Sequence, residues 1–188
     1  LPDLTQNNSP DLTFNFLVFA SITDINGETH SAEKTITLGN TAYNLSASLP
    51  TIVDKEKEVK IKLRASNLNG EYEAAKGTLT VYKLKQATKV YRERRWDLPD
   101  LFLMNKSDFE HLFPYDQYAD EANKYTWERG EKMEEIAFST DTTVAKNTAG
   151  EVLLRSSKNW EQGEYLYEAI SYDKNNKEVK VQNYFTLY

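Results

Sequence analysis

Side chains suited to nucleophilic, acid–base or metal chemistry are scarce in this sequence. Its 188 residues include two histidines, His30 and His111, and no cysteine. Without a thiol, the chain has no thiolate metal ligand, no cysteine nucleophile, no disulfide and no cysteine-derived thioester. The histidines lie far apart in the sequence, so the chain offers few residues for a histidine-rich metal site or a Ser/His/Asp triad. We interpret both histidines as surface or loop residues. These residue types predict a protein that is not an enzyme.

Carboxylates are plentiful, but their spacing does not favour a site. Glu134 and Glu135 could suggest acid–base hydrolysis, yet adjacent residues of a strand point to opposite faces and would not converge on one bond. Calcium needs several oxygen ligands at close range, for which we considered Asp97, Asp100, Asp108, Asp116, Asp120 and Glu121. No D-x-[DN]-x-[DN]-G loop is present, and scattered carboxylates usually face water. We therefore predict no metal site and no cofactor.

Arginines and aromatic residues supply the candidate interaction surface of the chain. This surface comprises Arg92, Arg94, Arg95, Trp96, Tyr115, Tyr118, Tyr125 and Trp127. Trp and Tyr faces suit sugar rings or extended peptides, and the arginines offer sites for trypsin-like proteases in a bait-like segment. The density of large rings argues against the mobility that a bait needs, so buried packing anchors are the favoured interpretation.

The overall composition narrows the class of protein. With 39% hydrophobic and 28% charged residues, the chain can bury a core and remain soluble. A net charge of −6 has the wrong sign for general nucleic-acid binding. No run approaches the roughly 18 apolar residues of a membrane span. Residue 1 is Leu, without a basic or apolar leader behind it, so we expect a piece of a longer chain.

Alternating side chains indicate strands. Val59, Ile61 and Leu63 alternate with charged residues, as in a strand with one face on a core and the other in water. Turn residues at Asp24–Gly27 and Asp173–Asn176 allow the positive φ values of tight hairpins. The pattern predicts an all-β fold, an antiparallel seven-stranded β-sandwich of the fibronectin III or immunoglobulin kind. The predicted strands are Tyr43–Leu49, Glu58–Ser66, Gly77–Leu84, Lys132–Thr140, Gly150–Arg155, Glu164–Tyr172 and Glu178–Tyr188.

One hairpin pattern occurs twice. Phe16–Leu38 aligns with Tyr165–Leu187 without a gap, at a constant offset of 149 residues. Tandem modules of one fold produce such a repeat, and chance similarity of two amphipathic hairpins is the other explanation. We predict that residues 1–40 hold the closing hairpin of a preceding module and residues 41–188 the whole of the next. An isolated hairpin is marginal in water, so residues 12–39 should pack against the second module or pair with another copy of the chain.

An insertion is expected in the second module, because the offset is long for a sandwich of about 100 residues. We place it at residues 86–131, where the alternation breaks. The large rings there are Tyr91, Trp96, Phe102, Phe109, Phe113, Tyr115, Tyr118, Tyr125 and Trp127. A capping-box pattern at Ser107–Glu110 and a stop signal at Pro114 predict one short helix at about 108–113. The rings indicate that the segment folds and docks on the sandwich.

Several turn-and-strand motifs point to a family. Phe16–Glu33 closes a strand pair, and Asn67–Gly70 is followed by the strand Gly77–Leu84. Both patterns resemble macroglobulin-like domains of bacterial α2-macroglobulin-family proteins. The tract Tyr91–Pro114 and the ending Tyr184–Tyr188 are similar to the large Bacteroidetes-type members. The resemblance covers nearly the whole chain and concerns fold and array context more than activity.

The resemblance implies a periplasmic or cell-surface parent built from strings of sandwiches, secreted or held by a lipid anchor. In inhibitory members, a protease cleaves a bait region and is trapped when the molecule rearranges. Any Cys-Gly-Glu-Gln thioester would lie elsewhere in the parent. This chain would be a non-catalytic structural module whose partners are neighbouring macroglobulin-like domains and, through the parent, proteases. No nucleic-acid partner is expected, and membrane contact would come only from the parent's anchor.

The competing hypothesis is an adhesive or carbohydrate-binding module on a cell-surface protein, with the aromatic insertion as its platform. It predicts two or three coplanar exposed rings. The structural-module hypothesis instead predicts extensive apolar surface at the module ends, where neighbours would pack.

Overall fold

The computed structural model describes residues 12–143 and 150–188, so residues 1–11 of the predicted first segment lie outside the described residues. The strands are β1 (Thr13–Thr23), β2 (Thr29–Gly39), β3 (Tyr43–Ser48), β4 (Ile52–Val53), β5 (Val59–Asn67), β6 (Lys76–Leu84), β7 (Arg129–Ser139), β8 (Glu151–Leu154), β9 (Gly163–Tyr172) and β10 (Glu178–Leu187). One α-helix, α1 (Lys106–Leu112), and two 3₁₀ turns, Lys124–Thr126 and Ser157–Asn159, complete the elements of the described chain.

Two facing sheets build the main body. β3, β5 and β8 form one sheet in that order, and the other has the order β4-β10-β9-β6-β7. Every pairing is antiparallel except that of β4 with β10, where Ile52 and Val53 lie in parallel beside Thr186 and Leu187. Strands that alternate between two such sheets define an immunoglobulin-like β-sandwich. The predicted fold class is confirmed.

The core lies between these two sheets. Val59 and Ile61 of β5 are buried and alternate with exposed lysine or glutamate, which explains the period-two pattern. From the other side, Trp160 stacks on Tyr165 with ring centroids 5.3 Å apart, and Tyr165 stacks on Phe185 at 5.4 Å. Large rings bury the most apolar surface per residue, so the β9–β10 hairpin is central to the core.

β1 and β2 form a separate two-stranded sheet that reproduces β9 and β10. Phe16 pairs with Ile36 in the first hairpin as Tyr165 pairs with Phe185 in the second, and the remaining pairs keep the same offset. A slip of one residue would turn a strand over. Identical register therefore places equivalent side chains on equivalent faces, and the repeat seen in the sequence is also a repeat of structure.

The turns of the two hairpins are closed in the same way. Oδ1 of Asp24 and Oδ1 of Asp173 each accept the backbone N–H groups of the residues two and four positions later, at 2.8–2.9 Å. The residue three positions later has a positive φ in both turns, 84° at Gly27 and 59° at Asn176. Aspartate and a residue that tolerates the left-handed region thus specify each turn.

The first hairpin is largely uncovered in the described chain. Phe19 is 70% exposed and Ile22 is 72% exposed. At the base of the hairpin, the N–H of Thr37 donates to Asn69, and Asn40, just after β2, accepts a hydrogen bond from Lys177. The expected packing against the second module is therefore confined to the base, and pairing with another copy of the chain stays a prediction.

Two differences from the predicted organisation go beyond one residue at a strand end: a strand that was not predicted and the end of the insertion. β4 was missed because the two residues of Ile52–Val53 are too few to show a period. The insertion spans residues 85–128, close to the predicted range of about 86–131, and it ends three residues earlier because Arg129 already pairs with Leu84 at the start of β7. Shifts of register within the β6–β7 pair disturb the alternation there, which hides the first residues of β7 from a pattern search.

The predicted helix exists but begins earlier than expected. α1 starts at Lys106, because Asn105 is the N-cap in place of Ser107: its side-chain oxygen accepts the N–H of Asp108 at 2.9 Å. Asparagine caps a helix about as well as serine, so sequence alone did not separate the two. The helix ends at Leu112, next to the predicted end.

Candidate interaction surface on the insertion

The insertion leaves and rejoins the sandwich at one place. Lys85 donates its backbone N–H to the carbonyl oxygen of Glu128 at 2.9 Å, which joins the two ends. On the returning side, the ring of Tyr125 meets the ring of Tyr184 on β10 edge-on, with centroids 4.9 Å apart. The predicted docking of the insertion is thus present at its base.

Beyond the base, aromatic rings pack on one another. Phe102 and Tyr118 have centroids 4.5 Å apart, and Phe109 of α1 lies 5.2 Å from Phe113 and 5.4 Å from Tyr118. The hydroxyl of Tyr118 donates to the carbonyl oxygen of Met104 at 2.8 Å. These contacts join α1 to the segments before and after it. We call these four rings the ring cluster.

A cavity of about 310 Å³ opens beside the ring cluster. Its apolar wall includes Trp96, Leu101, Phe102, Leu103, Phe113 and Tyr118. No residue of the insertion is buried, and Leu103 is 94% exposed. The interpretation of the rings as buried anchors is therefore wrong: a segment with one seven-residue helix has too little regular structure to enclose them. The cavity suits an aliphatic or aromatic group.

The segment around Arg94 closes one side of the cavity. Nη2 of Arg94 donates to the carbonyl oxygens of Gln117, at 3.2 Å, and of Ala119. Two residues earlier, Arg92 donates its backbone N–H to the carbonyl oxygen of Tyr115 at 2.7 Å, and its guanidinium lies 5.8 Å from the centre of the Tyr115 ring. Arg94 therefore holds the chain after α1 in place.

Substituting Arg94 by alanine should expose the segment after α1 to proteolysis. Two backbone carbonyls would lose their shared donor, so we expect chymotrypsin to cut after Tyr115 and Tyr118 roughly tenfold faster. Arg95→Ala is the matched control, because Arg95 is exposed. Limited digestion read by intact mass measures the rates. Equal rates in Arg94→Ala, Arg95→Ala and the unsubstituted chain would show that Arg94 does not hold the segment.

Five of the predicted surface residues come together. Arg92, Arg94, Trp96 and Tyr118 all line the cavity. Tyr115 adjoins them through its contact with Arg92. These residues come from both sides of α1, and the hydrogen bonds from Arg94 to the carbonyl oxygens of Gln117 and Ala119 hold the two sides together.

The other three lie elsewhere. Tyr125 and Trp127 belong to the base of the insertion, and Arg95 is exposed outside the cavity lining. Much of the apolar wall comes from Leu101, Leu103 and Met104, which were not predicted, together with Phe102, which was named among the large rings. An unbroken apolar run in a segment without strand alternation was the signal that could have found it.

The rings do not form a flat platform. In the ring cluster they meet at 30°, 45° and 61°. Trp96 is 70% exposed and Tyr115 is 59% exposed, and neither stacks on another ring in the described part of the chain. The coplanar rings that the carbohydrate hypothesis predicts are not formed by these residues.

Of the six acidic residues considered for calcium, three contact cationic side chains: Asp116, Asp120 and Glu121. Oδ1 of Asp120 lies 3.7 Å from Nη1 of Arg94, and Oε1 of Glu121 lies 2.9 Å from Nζ of Lys106. Burial by itself would raise the pKa of Glu121, but the hydrogen bond from Lys106 and backbone donors outweigh burial and lower that pKa. Across residues 12–143 and 150–188, no three His, Asp or Glu side chains gather as metal ligands.

The remaining candidates for chemistry have separate surroundings. Glu134 accepts a hydrogen bond from the hydroxyl of Ser156 at 2.8 Å, whereas Glu135 pairs with a lysine of its own strand. As expected, the two carboxylates do not converge. His30 lies on β2 and His111 in α1, and both are exposed.

A scan against protein-family models finds no match, and a search of curated proteins finds none either. One similar solved structure is described as a tetra-tandem repeat in the extending region of a large adhesion protein. It shares 15% identity with this chain at a TM-score of 0.37, and the match covers 94% of this chain and 32% of that one. The match thus spans about a third of the length of that solved chain, and so distant a similarity says nothing about activity.

The fold assignment therefore rests on the sheet topology: the chain carries an immunoglobulin-like β-sandwich. Within the described ranges, no helix has the length and apolar character needed to cross a membrane.

Proposed function

We propose that the chain is a non-catalytic β-sandwich module of a tandem array, in which β1 and β2 close the sandwich that precedes it. The hairpin repeat supports this proposal, because β1–β2 shares pairing register and turn hydrogen bonds with β9–β10. Within the sandwich, β9 pairs with β6 and β10 pairs with β4. The equivalent edges of β1 and β2 have no strand beside them in the described chain, so a preceding module's strands would fit there.

The side chains of the first hairpin support the same proposal. Phe16 and Ile36 occupy the positions of Tyr165 and Phe185, both fully buried in the core. Apolar residues thus recur on the face that a second sheet would cover. On the same face of β1 as Phe16, Val18 is 47% exposed and Ile22 is 72% exposed. Exposed apolar surface at a module end is what the structural-module hypothesis predicts.

Amide hydrogen exchange tests this function. In the 188-residue chain, residues 13–39 should exchange nearly as fast as an unfolded segment, because an isolated two-stranded hairpin is marginal in water. Thr37 is the exception, since its N–H donates to Asn69 of the sandwich. In a parent chain that includes the residues before Leu1, the same amides should become protected to the level of residues 163–187. Unprotected residues 13–39 in the longer chain would contradict the proposal.

A macroglobulin-type protease trap is the narrower form of this proposal. It rests on the resemblance of the turn-and-strand motifs, and it would make this chain a scaffold that positions other parts of a periplasmic or cell-surface parent. Its partners would then be neighbouring sandwich modules and the trapped protease. Treating the parent with a protease tests it: a trapped enzyme keeps cleaving small substrates while large ones are protected. Unchanged cleavage of large substrates would contradict trapping.

A ligand-binding role for the insertion is the second candidate, which the cavity beside the ring cluster favours. The apolar lining and tilted rings fit a hydrophobic peptide side chain better than a sugar. Binding to a glycan array that Trp96→Ala abolishes would support the adhesive, carbohydrate-binding form of this role instead.

A further inference from the structure

The link between the first hairpin and the sandwich is short and held by hydrogen bonds. Only residues 40–42 separate β2 from β3. The N–H of Ala42 donates to Oδ2 of Asp173 at 3.0 Å, and Nζ of Lys177 donates to the side-chain oxygen of Asn40. Asp173 is buried and uses its other oxygen, Oδ1, within its own turn. One carboxylate therefore fixes both the β9–β10 turn and the linker.

A second turn holds the end of β2 itself. The N–H of Thr37 donates to Oδ1 of Asn69 at 3.0 Å. Leu68 lies against Gly39 so closely that a Cβ at Gly39 would come within 2.7 Å of Leu68 Cδ1. The turn that presents these side chains is fixed by Asn67, whose Oδ1 accepts two backbone N–H groups at 2.9–3.0 Å. The contacts to the end of β2 are thus made by a preformed turn.

We infer that the turns Asn67–Glu71 and Asp173–Lys177 form a socket that fixes the orientation of the preceding module, by holding the last residues of its final strand and the three-residue linker. The inference rests on the proposed function and extends it to the geometry of the array. The partner is the C-terminal end of a β-strand from an adjacent sandwich. Polar contacts to backbone N–H groups and a glycine without a side chain make the socket specific for that end.

The turn of the first hairpin is closed by an aspartate in the same way, and we expect it to serve as a socket one module earlier. Asp24 uses Oδ1 within its turn as Asp173 does, and its Oδ2 lies near the Asn26 side chain, with a 3.4 Å contact. By equivalence with Asp173, Oδ2 of Asp24 is the acceptor for the linker that enters the preceding sandwich. The socket would then recur along the array.

The backbone N–H of Thr37 has a different partner from that of its equivalent in the second hairpin, Thr186. The N–H of Thr186, equivalent to that of Thr37, donates at 2.7 Å to the carbonyl oxygen of Thr51, just before β4. The N–H of Thr37 instead donates to Oδ1 of Asn69 in the following sandwich. The socket therefore takes a hydrogen bond that the preceding module would otherwise use for its own first strands, which couples the two modules at this residue.

The experiment uses the longer parent chain that contains the preceding module. Residues 1–188 contain no cysteine, so once any cysteine elsewhere in the parent is replaced by serine, cysteines introduced at the exposed positions Glu33 and Lys158 can carry spin labels for a distance measurement. Asp173→Asn is the test variant. Asn67 shows that asparagine holds such a turn through Oδ1. The change therefore replaces the acceptor of the Ala42 N–H by an NH₂ group and removes one negative charge, a loss that the control shares. Asp24→Asn is the matched control in the equivalent turn.

We expect a single narrow distance distribution that Asp173→Asn broadens and Asp24→Asn leaves unchanged. In parallel, exchange of the Ala42 amide should rise roughly tenfold in Asp173→Asn, and that of Thr37 should rise similarly in Asn69→Ala. A broad distance distribution in the unsubstituted chain, or a distribution that Asp173→Asn leaves unchanged, would overturn the socket. In that case, protection of residues 13–39 in the longer chain would still support the tandem function. Unprotected residues 13–39 would instead remove the proposed function itself.

Discussion

Replacing Phe185 by alanine is expected to lower the free energy of unfolding of the 188-residue chain by about 3–5 kcal/mol. The Phe185 side chain is fully buried, and its ring lies 5.4 Å from that of Tyr165 and 6.1 Å from that of Tyr167. Truncation removes the transfer free energy of the ring and leaves a cavity between the two sheets, which rigid β-strands close only in part.

Phe16 provides the matched control in the repeated hairpin. It occupies the position of Tyr165, yet no facing sheet covers it in the described chain. Phe16→Ala should therefore change the free energy of unfolding by less than about 0.5 kcal/mol. Urea denaturation followed by tryptophan fluorescence measures both variants. Similar losses for Phe16→Ala and Phe185→Ala would mean that the first hairpin belongs to the same cooperative unit as the sandwich.

Glu168→Gln is expected to cost about 1–3 kcal/mol at neutral pH. Glu168 is buried on β9 and accepts hydrogen bonds from both terminal nitrogens of Arg129, at 2.8 and 3.2 Å, and from Lys180. The amide keeps the shape of the carboxylate but loses its charge and half of its acceptors. Glu135→Gln is the control: Glu135 pairs with Lys132 at 2.8 Å, but both side chains are about half exposed, so the loss should stay below about 0.5 kcal/mol.

The cost of Glu168→Gln should disappear in acid. Burial by itself would raise the pKa of Glu168, but the hydrogen bonds from Arg129 and Lys180 outweigh burial and hold that pKa below its ordinary value. Stabilisation by Glu168 is therefore fully present above the unfolded-state pKa and is lost as the pH falls through the lower folded-state value. Urea titrations of both proteins between about pH 7 and about pH 2.5 measure this. A difference that persisted at the lowest pH would contradict a role for the charge.

The sandwich was predictable because its strands are long and one-sided. Residues such as Val59 and Ile61 face a core while their neighbours face water, and period two records that burial directly. The hairpin repeat was visible for a similar reason, since Asp24 and Asp173 close their turns with local hydrogen bonds that depend on residue type. β4 was not predicted because its two residues form a strand only by pairing with β10, a segment distant in the sequence.

For the candidate interaction surface, the residue types could be predicted from the sequence, but their arrangement in space could not. The arginines and rings of the insertion were visible, but their arrangement depends on contacts such as that of Arg94 with backbone carbonyls beyond α1. No periodic pattern encodes such a contact. The exposure of the rings also follows from the size and irregularity of the segment, which the count of aromatic residues does not reveal. The socket was missed because Asn69 and Asp173 read locally as turn residues.

The most direct test of this account compares the free energy of unfolding of residues 41–188 with that of the whole chain. If β1 and β2 close a preceding module, removing residues 1–40 should leave the urea midpoint and the free energy unchanged to within about 0.5 kcal/mol, because the sandwich keeps its complete core. A loss of several kcal/mol, or failure of residues 41–188 to fold, would show that the first hairpin is part of this domain and would contradict the tandem-module account.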